Sequence, residues 1–412
     1  MNNKQEETLM KPEKNNGVEP NLRFPEFRGA ADWKFVPLNK LAKRCTQKNR
    51  GGAITRVLTN SAEYGVVDQR DYFDKDIATQ GNLESYYVVE KGDYVYNPRI
   101  SATAPVGPIS KNNVATGVMS PLYTVFRFGN SKNDFYASYF KTTGWHQYMR
   151  QASSTGARHD RMAITNDDFM AMPLPASVPE EQQKIADCLF SIDVLIDLET
   201  KKINALKFHK NGLMQQLFPA KGEIKPRLRF PEFAETGDWE EHKLGDVCEL
   251  YQPVTLSSSE ITMTGEYLVY GANGVIGTHN EYNHADSEIA VTCRGATCGE
   301  VTRTQPMSWI TGNAMVVRPR SARLAKDFVF QYFKNHGLKS VISGSAQPQI
   351  TRAGFSPLPI SFPTPSEQQR IADFLTNLDN FIAAEIRQLD MLKTHKKGLM
   401  QQLFPKIGEA DV

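Results

Sequence analysis

One long segment of this chain occurs twice, and that duplication limits the possible architectures more than any other feature. Residues 178–219 align without a gap to residues 364–405, a shift of 186, with 23 identities in 42 positions. The last eight residues, Gly212–Pro219 and Gly398–Pro405, are identical. A shorter repeat opens each unit. Arg23-Phe24-Pro25-Glu26-Phe27 returns as Arg229-Phe230-Pro231-Glu232-Phe233, each followed by Asp-Trp (Asp32-Trp33, Asp238-Trp239) and then by Leu38 or Leu244. That shift is 206, so the first intervening segment is 20 residues longer than the second. Between the repeated ends the two segments share almost nothing that aligns. A module written twice predicts two domains, the number that 412 residues favour on length alone.

Each repeated tail reads as a helix. Pro179 and Pro365 suit a first helical position, and Glu181-Gln182-Gln183 and Glu367-Gln368-Gln369 suit a first turn. Apolar residues then recur at alternating spacings of four and three. The first copy gives Ile185, Leu189, Ile192, Ile196, Ile203 and Leu206; the second gives Ile371, Leu375, Leu378, Ile382, Leu389 and Leu392. Such heptads specify a coiled-coil seam. Each buried Leu or Ile contributes roughly 1.5–3 kcal/mol, enough in sum to hold an assembly together. Two seam positions are polar in both copies, Glu199 with Glu385 and Lys210 with Lys396. Polar seam residues cost stability and set register or partner choice, so a register role is expected.

Composition excludes several classes. No apolar run approaches the eighteen or so residues of a membrane span, and the polar N-terminus has no apolar signal core. Residues 1–20 and 406–412 read as tails. Five scattered cysteines argue against a disulfide framework and fit a reducing cytosol, and no zinc-ligand spacing is present. A net charge of +2 does not advertise nucleic acid, but residues 318–339 hold six Lys/Arg against one acid and residues 132–161 hold five against two.

The intervening segments, 21–177 and 220–362, read as α+β. Strands are expected at 86–89, 94–96, 123–128, 267–270, 289–292 and 314–318, rich in β-branched and aromatic residues. Helices are expected at 135–149 and 326–339. Two loop patterns occur in both segments. One follows a central strand and carries an arginine: Asn97-Pro98-Arg99-Ile100-Ser101, and Thr292-Cys293-Arg294-Gly295-Ala296. An arginine fork matches the O6/N7 edge of guanine or a phosphate. The other precedes the last apolar stretch and mixes small residues with Arg, His and Gln. It supplies Arg158, His159 and Arg161 in one copy, and Gln347, Gln349 and Arg352 in the other. Small residues let the backbone approach a duplex, and Arg or Gln can then read base edges. Asn273, in a Gly/Asn hairpin turn, and Lys339 complete the candidate DNA-binding set with Arg99, Ser101 and Arg294. No residue has a catalytic or metal-binding pattern.

At these motifs the chain resembles the specificity subunit of type I restriction–modification systems. The matching elements are Leu-Arg-Phe-Pro-Glu-Phe…Trp opening each half, Pro-x-Glu-Gln-Gln-x-Ile-Ala starting each helix, and Gly-Leu-Met-Gln-Gln-Leu-Phe-Pro closing each. The resemblance covers the chain from residue 21. It implies two target-recognition domains (21–177 and 220–362) alternating with two conserved helices (178–219 and 363–405). Those helices would form an antiparallel coiled coil with a pseudo-twofold internal repeat. Each domain would read half of a bipartite, asymmetric site in double-stranded DNA, and the helices would set the spacing and dock two modification subunits. Restriction subunits would join to complete the enzyme. S-adenosylmethionine, ATP and Mg would be bound by those partners, leaving this chain without a cofactor or chemistry of its own, in a bacterial cytoplasm. Two other readings stay open from the residues alone: a coiled-coil scaffold without sequence readout, and a stand-alone methyltransferase or nuclease with an unrecognised site.

Overall fold

The computed structural model describes residues 18–72, 80–153, 160–220, 222–272, 274–344 and 346–405. The chain divides into two compact units. One comprises residues 1–198 and 390–412; the other comprises residues 199–389. Two helices of 39 residues, Pro179–Leu217 and Pro365–Leu403, contribute a part to each unit. At 1.5 Å per residue each is about 58 Å long. None of the described helices is long and apolar enough to cross a membrane.

The two globular parts share a sheet order that their sequences hide. In the first unit a four-stranded antiparallel sheet runs Ala42–Arg44, Thr124–Phe128, Tyr94–Tyr96, Ile109–Lys111. In the second it runs Cys248–Tyr251, Ala314–Pro319, Ile289–Thr292, Val301–Arg303. Each unit also pairs the strand after its Asp-Trp motif with the strand before its long helix: Lys34–Pro37 with Pro173–Ala176, and Glu240–Lys243 with Pro359–Phe362. Around this frame the units differ. The first adds two separate antiparallel pairs of strands, and the second adds a three-stranded sheet built on Tyr267–Gly271. The central strands Tyr94–Tyr96 and Ile289–Thr292 are buried along their whole length, so they show no alternation of apolar and polar residues.

The expected strands appear within a residue or two of their places; one expected helix does not. The segment 135–149 is broken into Asp134–Tyr139 and His146–Ala152. Thr142 Oγ1 donates to the Tyr139 carbonyl at 2.7 Å and accepts from the Gly144 amide at 3.2 Å, diverting the backbone from its helical ladder. The helix expected at 326–339 ends at His336, because Gly337 takes φ +63° and its amide bonds back to Phe333.

Both cores are built the same way. In the first unit, Ile185 and Leu189 near the start of one long helix pack with Leu403 and Phe404 at the end of the other, beside Trp33, Phe126 and Phe135. In the second, Ile371 and Leu375 pack with Leu217 and Phe218, beside Trp239, Phe328 and Phe355. The Leu-Phe of the identical closing octapeptide is thus a core anchor in each unit, which accounts for its fixity.

Candidate nucleic-acid interface

The repeated opening motif is a latch on the helix start. Arg23 donates through Nε and Nη2 to the two oxygens of Glu181, at 2.8 and 2.9 Å, and its other donors reach the Ala30 and Ala31 carbonyls. Trp33 Nε1 donates to the same carboxylate at 3.1 Å. Arg229 repeats the fork on Glu367, with both bonds at 2.7 Å, and on the Thr236 and Gly237 carbonyls. A planar guanidinium is the only side chain that can make two parallel bonds to a carboxylate and still serve two carbonyls. The motif therefore fixes each globular part to its helix, and the aromatic neighbours Phe24 and Phe230 receive Lys184 and Arg370 across their rings.

On that frame the two loop patterns meet, in the same way in both units. In the first, Arg99 bridges Arg161 antiparallel, with Ile100 N donating to Asp160 O (3.1 Å) and Met162 N to Pro98 O (2.9 Å). In the second, Arg294 bridges Gln349, with Gly295 N donating to Pro348 O (3.2 Å) and Ile350 N to Cys293 O (3.0 Å). Arg99 and Arg294 are both exposed. Residues 343 and 349 close a small hairpin through two backbone bonds, and Gln347 is exposed on it. Gly344 takes φ +82° there, and a Cβ would meet the Gln347 carbonyl at 2.6 Å, so the turn requires glycine. Arg352 is exposed at the start of the short helix that follows.

The remaining candidates are placed less simply. Ser101 shapes its loop: its hydroxyl accepts from the Ala104 amide and lies 3.2 Å from Thr103 Oγ1. Lys339 lines a different cleft, with Pro219, Gly222 and His336, and not the Arg294 loop. Arg158, His159 and Asn273 lie outside the described residues. Ala272 is tied beside the Arg294 loop, since Thr292 and Thr297 both donate to its carbonyl, at 2.8 and 2.7 Å. Three of the six cations in the run at 318–339 are paired with acids of the same unit. Arg318 and Lys326 converge on buried Glu288, and Arg323 pairs with Glu240.

Two groups of residues were not singled out from sequence. Asn97, buried beneath the first loop, donates through Nδ2 to the Asn60 carbonyl and accepts from the Arg99 amide through Oδ1, both at 3.0 Å. It fixes the backbone that carries Arg99, in an Asx turn that the string Asn-Pro-Arg could have signalled. Asp193 and Asp379 are the partners of the two misfit lysines: Lys210 bonds Asp379 at 2.6 Å, and Lys396 bonds Asp193. These carboxylates lie on the helices one position off the heptad seam.

The seam residues themselves are mostly covered. Ile185, Leu189, Ile192, Ile203, Ile371, Leu375, Ile382 and Leu389 are buried, and Ile196, Leu206, Leu378 and Leu392 are partly so. Glu385 is buried and accepts from Lys202 at 2.5 Å, and Lys202 lies 3.5 Å from Glu199. A hydrogen bond with Glu385, helped by burial, raises the Glu199 carboxyl above its ordinary range, while the Lys202 bond holds Glu385 below it. Glu199 therefore holds a proton more readily than an isolated carboxyl does, and Glu385 less readily.

A frame built twice, each copy presenting an arginine loop against a second polar loop, defines a protein of two like modules. The model of the type I restriction modification DNA specificity domain matches residues 31–207 and 236–394, and the chain belongs to that family. It is 28% identical over 192 residues to the type I restriction enzyme MjaVIII specificity subunit of Methanocaldococcus jannaschii; the match spans 43% of this chain and 44% of that relative. The fold is similar to that of the type I restriction-modification system S subunit from M. genitalium. There the TM-score is 0.60 at 14% identity, over 94% of this chain and 100% of that one. It is also similar to a chain from a structure of complex assembly and conformational transition in the type I R-M system. That match has a TM-score of 0.54 at 16% identity, over 92% and 98% of the two chains. These likenesses establish a mixed α/β fold with two domains and long helices.

Proposed function

We propose that the chain is the sequence-specific DNA-recognition subunit of a type I restriction–modification complex. The observation that carries this is the matched placement of two arginine loops on sheets of the same order whose surrounding sequences differ. The same site built twice with different residues suits two different half-sites. Arg99 and Arg161 in one domain, and Arg294, Gln347, Gln349 and Arg352 in the other, are the residues assigned to base edges or phosphates, with Arg158, His159 and Asn273 as further contacts.

The domains divide as the sequence suggests, with residues 21–177 and 220–362 reading DNA and the two long helices setting the gap between half-sites. The helices pair as an antiparallel coiled coil with pseudo-twofold symmetry. In support, Lys202 with Glu385 and Lys210 with Asp379 ascend one helix while descending the other. Lys396 with Asp193 is the Lys210–Asp379 pair displaced by the repeat shift. The same helices dock two modification subunits, which bring S-adenosylmethionine, and restriction subunits bring ATP-driven activity. The chain contributes no chemistry of its own and works in the bacterial cytoplasm.

The test is binding of the full chain, with its modification partner, to random duplexes and to a selected site across a salt series. A recognition subunit retains a large preference for the selected site after the electrostatic part is screened. Equal affinity for both would leave only the scaffold reading, and methyl transfer by the chain alone would overturn the non-catalytic one.

A further inference from the structure

Asp193 and Asp379 occupy the same place in the two long helices, 186 residues apart. Each is the point where two helices and a globular part meet within its own unit. In the second unit, Asp379 Oδ1 accepts from Lys210 of the first long helix at 2.6 Å, and Oδ2 accepts from Gln331 Nε2 at 3.1 Å. Gln331 belongs to the globular helix Lys326–His336. In the first unit, Asp193 accepts from Lys396 of the second long helix, and Lys141 Nζ of the globular part stands 4.0 Å from its Oδ2. The junction is thus built twice, although Gln331 and Lys141 lie in segments that do not align.

Gln331 is a poor choice for stability alone. It is 1% exposed, and its Oε1 has no hydrogen-bond partner among the described residues. A buried amide with an orphaned oxygen is less favourable there than an apolar side chain of the same volume. What the amide supplies is direction. It ties the globular helix to one oxygen of a carboxylate whose other oxygen is held by the neighbouring long helix.

We propose that Gln331 with Asp379, and Lys141 with Asp193, are positioning residues that set the angle of each recognition domain on its helix, and thereby the half-site separation the protein accepts. This rests on the reading that the two domains bind two half-sites. The junctions differ in one consequence. The Lys141 and Asp193 side chains are 60% and 44% exposed, so their attraction is screened by salt, whereas the shielded Gln331 bond is not.

The experiment uses the full chain with its modification partner and duplexes carrying both half-sites at the natural spacing, one base pair shorter and one longer. Gln331→Leu keeps the volume and leaves Asp379, 42% exposed, in water. It is expected to reduce the preference for the natural spacing about three- to tenfold, the range of one net hydrogen bond. Lys141→Met is the matching probe in the first unit, and it serves if Gln331→Leu lowers the melting temperature. Its effect shrinks as salt rises. An unchanged spacing preference in folded Gln331→Leu and Lys141→Met overturns the inference alone. If the unaltered protein prefers no bipartite site, the functional reading falls and the inference falls with it.

Discussion

Replacing Glu181 with alanine should loosen the first unit more than any single surface change. The carboxylate is 1% exposed and holds three donors: two from Arg23, itself 4% exposed, and the indole of Trp33. Removing it leaves a guanidinium with two carbonyl acceptors and the exposed Glu19 carboxylate 3.9 Å away, and an indole N–H with no acceptor among the described residues. Breaking a buried ion pair from one side costs about 3–5 kcal/mol, because the surviving charge stays desolvated. The orphaned indole, about 1–3 kcal/mol in isolation, is part of that figure and not additional to it. Glu367→Ala is the internal control. Arg229 is equally forked, but Trp239 Nε1 already lacks a partner among the described residues, so the loss there should be smaller by about 1 kcal/mol. The double change Arg23→Met with Glu181→Leu removes both charges and should be less destabilising than Glu181→Ala. Segment-resolved hydrogen exchange reads the opening energy of each unit separately. A cost below about 1 kcal/mol for Glu181→Ala, or a double variant no better than the single one, would refute the latch as the element that fixes the helix start.

Other outcomes follow from the same geometry. Arg294→Ala and Gln347→Ala should each weaken specific DNA binding by about 1–3 kcal/mol with the melting temperature unchanged, measured by titration against the selected duplex. Asn97→Ala should lower specific affinity through the Arg99 loop while leaving nonspecific binding intact, because Asn97 is buried and its amide is spent on the backbone of Asn60 and of that loop. Glu199 has a raised pKa, so the stability it contributes is present at acid pH and lost as pH rises through that raised value. Glu385, held low, contributes stability that is lost only as pH falls through its lowered value. Glu199→Gln keeps a donor without the titration, so its melting temperature should fall less than that of the unaltered chain as pH rises from the ordinary carboxylate range through the raised Glu199 value; parallel curves would contradict the raised carboxyl. Burial pushes the Cys248 thiol up to about 12, and it should resist alkylation at pH 8 until the chain unfolds.

Much of this architecture was legible because it is repeated. The long helices, their seam and the opening motif all announce themselves by recurring. The two arginine loops were also visible, since each follows a strong strand signal and carries residues that suit a polar ligand. Other features depend on contacts that no local pattern encodes. The break after Tyr139 turns on a threonine hydroxyl competing with the helical ladder. The common sheet order is invisible because its central strands are buried on both faces and are held by apolar content without a particular sequence. The misfit lysines were legible as exceptions, but their partners Asp193 and Asp379 read as ordinary helix-surface acids. The basic run at 318–339 misleads for the opposite reason, since its acids are distant in sequence.

The most direct test of the central claim, one twice-built frame reading two different half-sites, is a map of methylated adenines in a genome carrying this gene and its modification partner. The expected result is one asymmetric bipartite motif with a fixed gap, lost on deletion of the gene, and relaxed in only one half by Arg294→Ala. Methylation that is unchanged by the deletion, or a motif whose two halves relax together, would contradict it.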